Sequence, residues 1–181
     1  MFHSTICSYI VLDVWRFNPA HCPTIFEVSE DMRHIKKKGT GLGGTNENEW
    51  NIALCSMSTQ RSFAVRILHN DNDIEVGMFW LDGPFHNSGY RSFSWTLRQD
   101  YKLERAGDSE MEDEFKGKKI PEGAVVSVHI DDKRRTLTFK VNGEEVYNNV
   151  KTSLTPEKFS RLVGGIIMFR KDGEVEIIDS E

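Results

Sequence analysis

The sequence predicts an all-β chain folded as a sandwich or barrel. Three observations carry that prediction. Helical periodicity is nearly absent along the chain. Short runs of alternating apolar and polar residues recur instead. Turn-forming residues separate those runs at short, regular intervals.

Taken in order, the first apolar run, residues 6–12, lacks a positive flank and runs into Asp13. It is too short to span a membrane and reads as a short strand. Residues 25–28 and 33–36 follow as strands, then 51–55, 62–68, 75–81 and 91–97. Between two of them lies a polar turn, His69-Asn70-Asp71-Asn72-Asp73. The clearest stretch is 123–147. Val126, Val128 and Ile130 alternate with Val125, Ser127 and His129. After the turn Asp131-Asp132-Lys133-Arg134, Leu137, Phe139 and Val141 alternate with Thr136, Thr138 and Lys140. A period of two places each set on one face of a sheet. Asn142-Gly143 supplies two residues that tolerate positive φ, as a type I′ hairpin turn requires. Residues 144–147 return as a third strand. Thr155 and Pro156 can cap and open one helical turn. Residues 163–169 and 174–178 close the strand series. Long loops are expected at 37–49, 82–90 and 105–120, and the last is read as too charged to enter the core.

The 181 residues suffice for one domain with a sizeable core, and no Pro/Ser-rich linker divides them. The formal net charge of −5 argues against nucleic acid or an anionic membrane as partner, since both are polyanions. Lys36, Lys37 and Lys38 form a local basic run, read as a solvated loop or strand edge. The three cysteines, Cys7, Cys22 and Cys55, are odd in number and irregularly spaced. They predict no disulfide framework and a reducing, cytoplasmic setting.

The segment 13–38, DVWRFNPAHCPTIFEVSEDMRHIKKK, resembles the opening (PRY) segment of the B30.2, or PRY-SPRY, family. The turn Asn18-Pro19, a second proline at Pro23, an apolar strand and Ser29-Glu30-Asp31 stand in the family's order. Phe63-Ala64-Val65-Arg66 is similar to the family's Trp-Glu-Val-Glu strand, with Phe63 for the usual Trp and Arg66 for an acid. Glu75-Val76-Gly77-Met78 is similar to its partner strand. Residues 92–107 resemble the next Trp-containing strand pair, and Ile130-Asp131-Asp132 with Thr136-Leu137-Thr138-Phe139 the last motif. The Gly-rich insert at 39–44 departs from the pattern. The resemblance implies one B30.2/SPRY-like domain over 1–181, with a PRY-like segment at about 13–38 and a SPRY-like segment at about 50–179. It implies a two-sheet antiparallel β-sandwich, jelly-roll or concanavalin-like, that binds a peptide or protein through loops at one end. It also implies recruitment of substrates for a ubiquitin-ligase-type protein. No RING, B-box or coiled-coil pattern occurs in these residues, so ligase activity is not expected of the chain itself. An isolated domain of this kind is expected to be monomeric.

Recognition surfaces rest on a few aromatic and arginine anchors with a polar rim. Phe85, His86 and Tyr90 sit on a turn-rich loop with no strand face to hide in. Binding is the preferred reading for Phe85 and Tyr90, and His86 suits either role. On the strand 91–97, Phe93, Trp95 and Leu97 share the core face. Thr96 and Arg98 share the outward face, which in the family lines the binding cavity. A slip of one residue would swap the faces and expose Trp95. Trp50 opens a strand and is a candidate for core first and binding second. Trp15 and Trp80 are read as structural.

Catalytic readings are weaker. Glu110, Glu112 and Glu114 would share a face if their run were a strand, as in retaining glucanases, where two carboxylates stand about 5 Å apart. A carbohydrate-binding or glucanase-like jelly roll is therefore the alternative. The run lacks the apolar neighbours that would raise a carboxyl pKa and reads as a solvated loop. His3, Cys7, His21 and Cys22 match no common zinc spacing. The Gly-rich run lacks the Lys-Ser/Thr ending of a phosphate loop. No catalytic residue, cofactor or metal is expected.

Overall fold

The computed structural model describes residues 12–38, 51–69, 74–82, 93–105, 108–168 and 173–179. Thirteen strands are described: β1 (Phe26–Val28), β2 (His34–Lys37), β3 (Asn51–Leu54), β4 (Ser62–His69), β5 (Ile74–Trp80), β6 (Ser94–Arg98), β7 (Leu103–Arg105), β8 (Asp108–Glu110), β9 (Val125–Asp131), β10 (Thr136–Val141), β11 (Glu144–Lys151), β12 (Leu162–Met168) and β13 (Glu174–Ile178). They form two antiparallel sheets. One has seven strands in the order β1-β2-β13-β4-β9-β10-β11, and the other six in the order β3-β12-β5-β6-β7-β8. Of the sandwich and the barrel that the alternating pattern allows, the chain forms the sandwich. The early run survives in the described residues only as Leu12, which bridges to Ser58.

The seven-stranded sheet obeys the alternation. Phe63, Val65 and Ile67 of β4, Val126, Val128 and Ile130 of β9, and Leu137, Phe139 and Val141 of β10 are buried against the opposite sheet. Its other face carries cross-strand charges, such as Arg66 to Glu176 at 3.3 Å and Lys36 to Glu174 at 3.3 Å. The β10–β11 turn has Asn142 and Gly143 at φ 52° and 84°, as a type I′ hairpin requires. The Asn142 side-chain oxygen also accepts the Val125 N–H at 2.9 Å. The single helical turn, α1 (Pro156–Phe159), is capped by Thr155, whose hydroxyl accepts the Lys158 N–H.

The six-stranded sheet does not alternate. Its middle strands are buried on both faces: all of β12, and β5 up to Trp80. The continuous apolar run Leu-Val-Gly-Gly-Ile-Ile-Met of β12 is the sequence trace of that double burial.

Two expectations need correction. Lys37 is not solvated. It is fully buried on the inward side of β2 and donates from Nζ to the Met168 carbonyl of β12 at 3.1 Å, tying one sheet to the other. Lys36 and Lys38 are surface residues paired with Glu174 and Glu27. Nor is the charged segment 105–120 wholly outside the core. Phe115 and Ile120 are buried. The Phe115 ring stacks on Tyr101 at 4.9 Å and lies 6.1 Å from Tyr147. Two apolar side chains outweigh a charged neighbourhood when a ready aromatic surface receives them.

Candidate interaction surface

The β5–β6 hairpin organises the residues singled out by the sequence. Its register pairs Phe79 with Ser94 at one end and Glu75 with Arg98 at the other. Segment 83–92 therefore leaves from the Trp80 and Phe93 end. Phe85, His86, Tyr90 and also Trp50 lie outside the described residues. Arg98 stands at the opposite end of β6, about 16 Å from Phe93 at the foot of that segment at the usual rise of a strand. The attachment points of segment 83–92 and the arginine are thus separated rather than brought together.

Arg98 is engaged locally. Nε and Nη2 hold both carboxylate oxygens of Asp100, the first at 2.9 Å. The chain turns tightly here, with the Tyr101 N–H donating to the Arg98 carbonyl at 2.9 Å and Tyr101 at φ 64°. Partial burial pushes the Asp100 carboxyl up, but the Arg98 guanidinium and the Lys102 N–H outweigh it and hold the group below its ordinary value. A depressed carboxylate pKa stabilises the fold above the unfolded-state value, and that stabilisation is lost as pH falls through the folded value. Asp100→Asn should therefore lose stability at neutral pH and show a flatter decline in urea midpoints as pH falls below about 4. Parallel curves for the two proteins would show that the pair contributes nothing.

Thr96 lies on the outward parity of β6, as expected, but that face is itself interior. Thr96 is fully buried and its hydroxyl donates to the buried Glu75 carboxylate at 2.7 Å. Its neighbours across the ladder, Gly77 and Glu104, are buried as well. Thr96 is therefore a packing and hydrogen-bonding residue in this structure, not a contact for a partner. Trp95 is buried on the core side, so the strand has not slipped in register.

The described aromatic surface sits at the other end of the hairpin. Trp80, read as structural, is only part-buried. It packs on Phe93 at 5.4 Å, and the Lys158 ammonium lies 4.6 Å from its ring centroid. Its indole N–H is buried and has no hydrogen-bond partner among the described residues. Beside it Arg161 pairs with Asp82 at 2.8 Å, and the Leu81 N–H donates to the Arg161 carbonyl at 3.2 Å. Trp80 and Phe93 are the last of the core-facing rows on β5 and β6, and flank segment 83–92. The sequence marked both as apolar but not as neighbours of Lys158, which is 78 residues from Trp80 along the chain. Only the Thr155-Pro156 cap signal hinted that a turn would present Lys158.

The acidic run is divided. Glu110 ends the exposed strand β8, Glu112 follows it, and Glu114 sits in the 3-10 turn Asp113–Phe115. The three do not share one strand face, so the pattern expected of a glucanase is not formed. Burial pushes the Cys22 thiol up to about 12, which leaves it a poor nucleophile.

No family model and no curated protein matches the sequence. Solved structures do match in shape. The SPRY domain of human HERC1 superposes with a TM-score of 0.68 at 15% identity, over 91% of this chain and 98% of that one. The TRIM65 PSpry domain gives 0.65 at 14% identity, over 94% of each. A human SPRY domain gives 0.62 at 18% identity, over 87% of this chain and 97% of that one.

Proposed function

We propose, on the premise that this chain is a β-sandwich of the SPRY (B30.2) type, that it is a non-catalytic protein-interaction module. It binds a peptide or protein partner through loops at one end of the sandwich. The observation that carries the reading is the part-exposed Trp80–Phe93 pair under Lys158, on either side of the segment that includes Phe85, His86 and Tyr90. Aromatic anchors beside a cation, on a rigid strand end, have the make-up of an interface centre. Phe85, His86, Tyr90 and Trp50 extend this surface in the proposal. In a longer protein the domain would recruit substrates to a ubiquitin ligase, in the cytoplasm, where Cys22 and Cys55 stay free as they are here.

The test is capture of partners from native lysate by the wild-type chain and by a Trp80→Ala/Phe93→Ala variant, with the captured proteins identified and titrated. The variant should bind its partner at least about tenfold more weakly, the lower range for an interface anchor. Equal capture by a variant of unchanged fold would refute the assignment.

A further inference from the structure

Each sheet ends in an edge strand on the same side of the sandwich: β8 for the six-stranded sheet and β11 for the seven-stranded one. A cleft of about 450 Å³ opens between them, its walls carrying Arg105, Glu110 and Glu112 on one side and Glu145, Tyr147 and Asn148 on the other. The two walls are tied together beneath it. The Tyr147 hydroxyl donates to the Tyr101 carbonyl at 2.9 Å and accepts the Glu112 N–H at 3.3 Å. The cleft is therefore braced by fixed contacts, and among the described residues no strand covers the two sheet edges.

Its charge is one-sided. Three carboxylates face one guanidinium, Arg105, which reaches Glu110 at 3.3 Å. Glu145 is shared with Lys140 at 3.6 Å and the Asn148 amide at 3.1 Å. Glu112 has no ion pair among the described residues. The negative field reaches the tyrosine between the walls. Burial pushes the Tyr147 phenol up, and the Glu110 and Glu112 charges push it further. Yet the carboxylates do not gather into a metal-holding group, since none forms among the described residues. Charges spread along an open cleft suit a ligand whose own charges are spread in the same way.

We infer that this cleft docks an extended Lys/Arg-rich segment of a protein partner, as a second surface separate from the loop end of the sandwich. Cationic side chains would meet Glu110, Glu112 and Glu145 in turn, and the Asn148 amide would offer hydrogen bonds to the backbone. A nucleic acid would be repelled by the same walls.

The experiment uses the full chain and a fluorescein-labelled ten-residue peptide of alternating Lys and Ser, followed by anisotropy at low ionic strength. Saturable binding is expected, weakening with added NaCl because these charges are exposed to screening. The Glu110→Gln/Glu112→Gln/Glu145→Gln variant should bind at least about tenfold more weakly. The variant Glu27→Gln/Glu157→Gln/Glu176→Gln removes as much charge elsewhere and should bind as the wild type does. Three results would overturn the inference: no saturable binding, equal weakening by the two triple variants, or displacement of the peptide by CaCl₂ well beyond that by NaCl of equal ionic strength. All these variants keep Trp80 and Phe93, so failure here leaves the loop-end reading untouched.

Discussion

Replacing Gly77 by alanine should cost the fold roughly 3 kcal/mol or more, at the upper end of overpacking penalties. Gly77 is the middle residue of β5, paired with Thr96 on one side and Gly165 on the other. A methyl group there would run into the Trp95 carbonyl oxygen and lie 2.7 Å from the Thr96 Cα. Those atoms are backbone in the adjoining strand and cannot rotate away. Relief requires β5 and β6 to separate, which strains their ladder and moves Thr96 off Glu75. The measurable result is a fall of roughly 10 °C in Tm, at 2–4 °C per kcal/mol for a chain of this size. A midpoint within 1–2 °C of the wild type would show that the strands part more easily than close packing allows.

The three consecutive lysines should behave differently from one another. Lys37→Ala removes a buried ammonium and its aliphatic stem together, and leaves the Met168 carbonyl without that donor. The lost buried hydrogen bond plus the lost packing amounts to about 3 kcal/mol. Lys36→Ala and Lys38→Ala each remove a half-exposed ion pair, at 3.3 and 3.4 Å, and should change stability by less than about 0.5 kcal/mol. Urea denaturation of the three variants distinguishes them. Equal and small effects would mean that the buried contact of Lys37 contributes nothing.

The lysine run shows why the sequence misled at this point. Alternation alone would have put Lys37 on the face of Ile35, the buried one, but a lysine carries a strong prior for solvent. One contact that helps make burial tolerable is a carbonyl on the other sheet, 131 residues away. The segment 105–120 failed for a related reason. Its composition is charged, while Phe115 and Ile120 answer to Tyr101, Tyr147 and the sheet above them.

The sandwich itself was legible because backbone geometry is local. A period of two fixes which side chains share a face, and Asn142-Gly143 fixes a turn, whatever lies elsewhere in the chain. The three consecutive strands β9, β10 and β11, the capped turn at Pro156 and the inward parity of Trp95 and Leu97 were all determined in this way. Parity says which face a residue takes but not what covers that face. Thr96 pointed outward as expected and is nonetheless interior, because the middle strands of the six-stranded sheet are buried on both sides. The joining of Trp80, Phe93 and Lys158, the separation of Arg98 from the foot of segment 83–92, and the acidic cleft between β8 and β11 arise from contacts between segments far apart in the chain. Those depend on how two sheets meet, which tertiary packing alone decides.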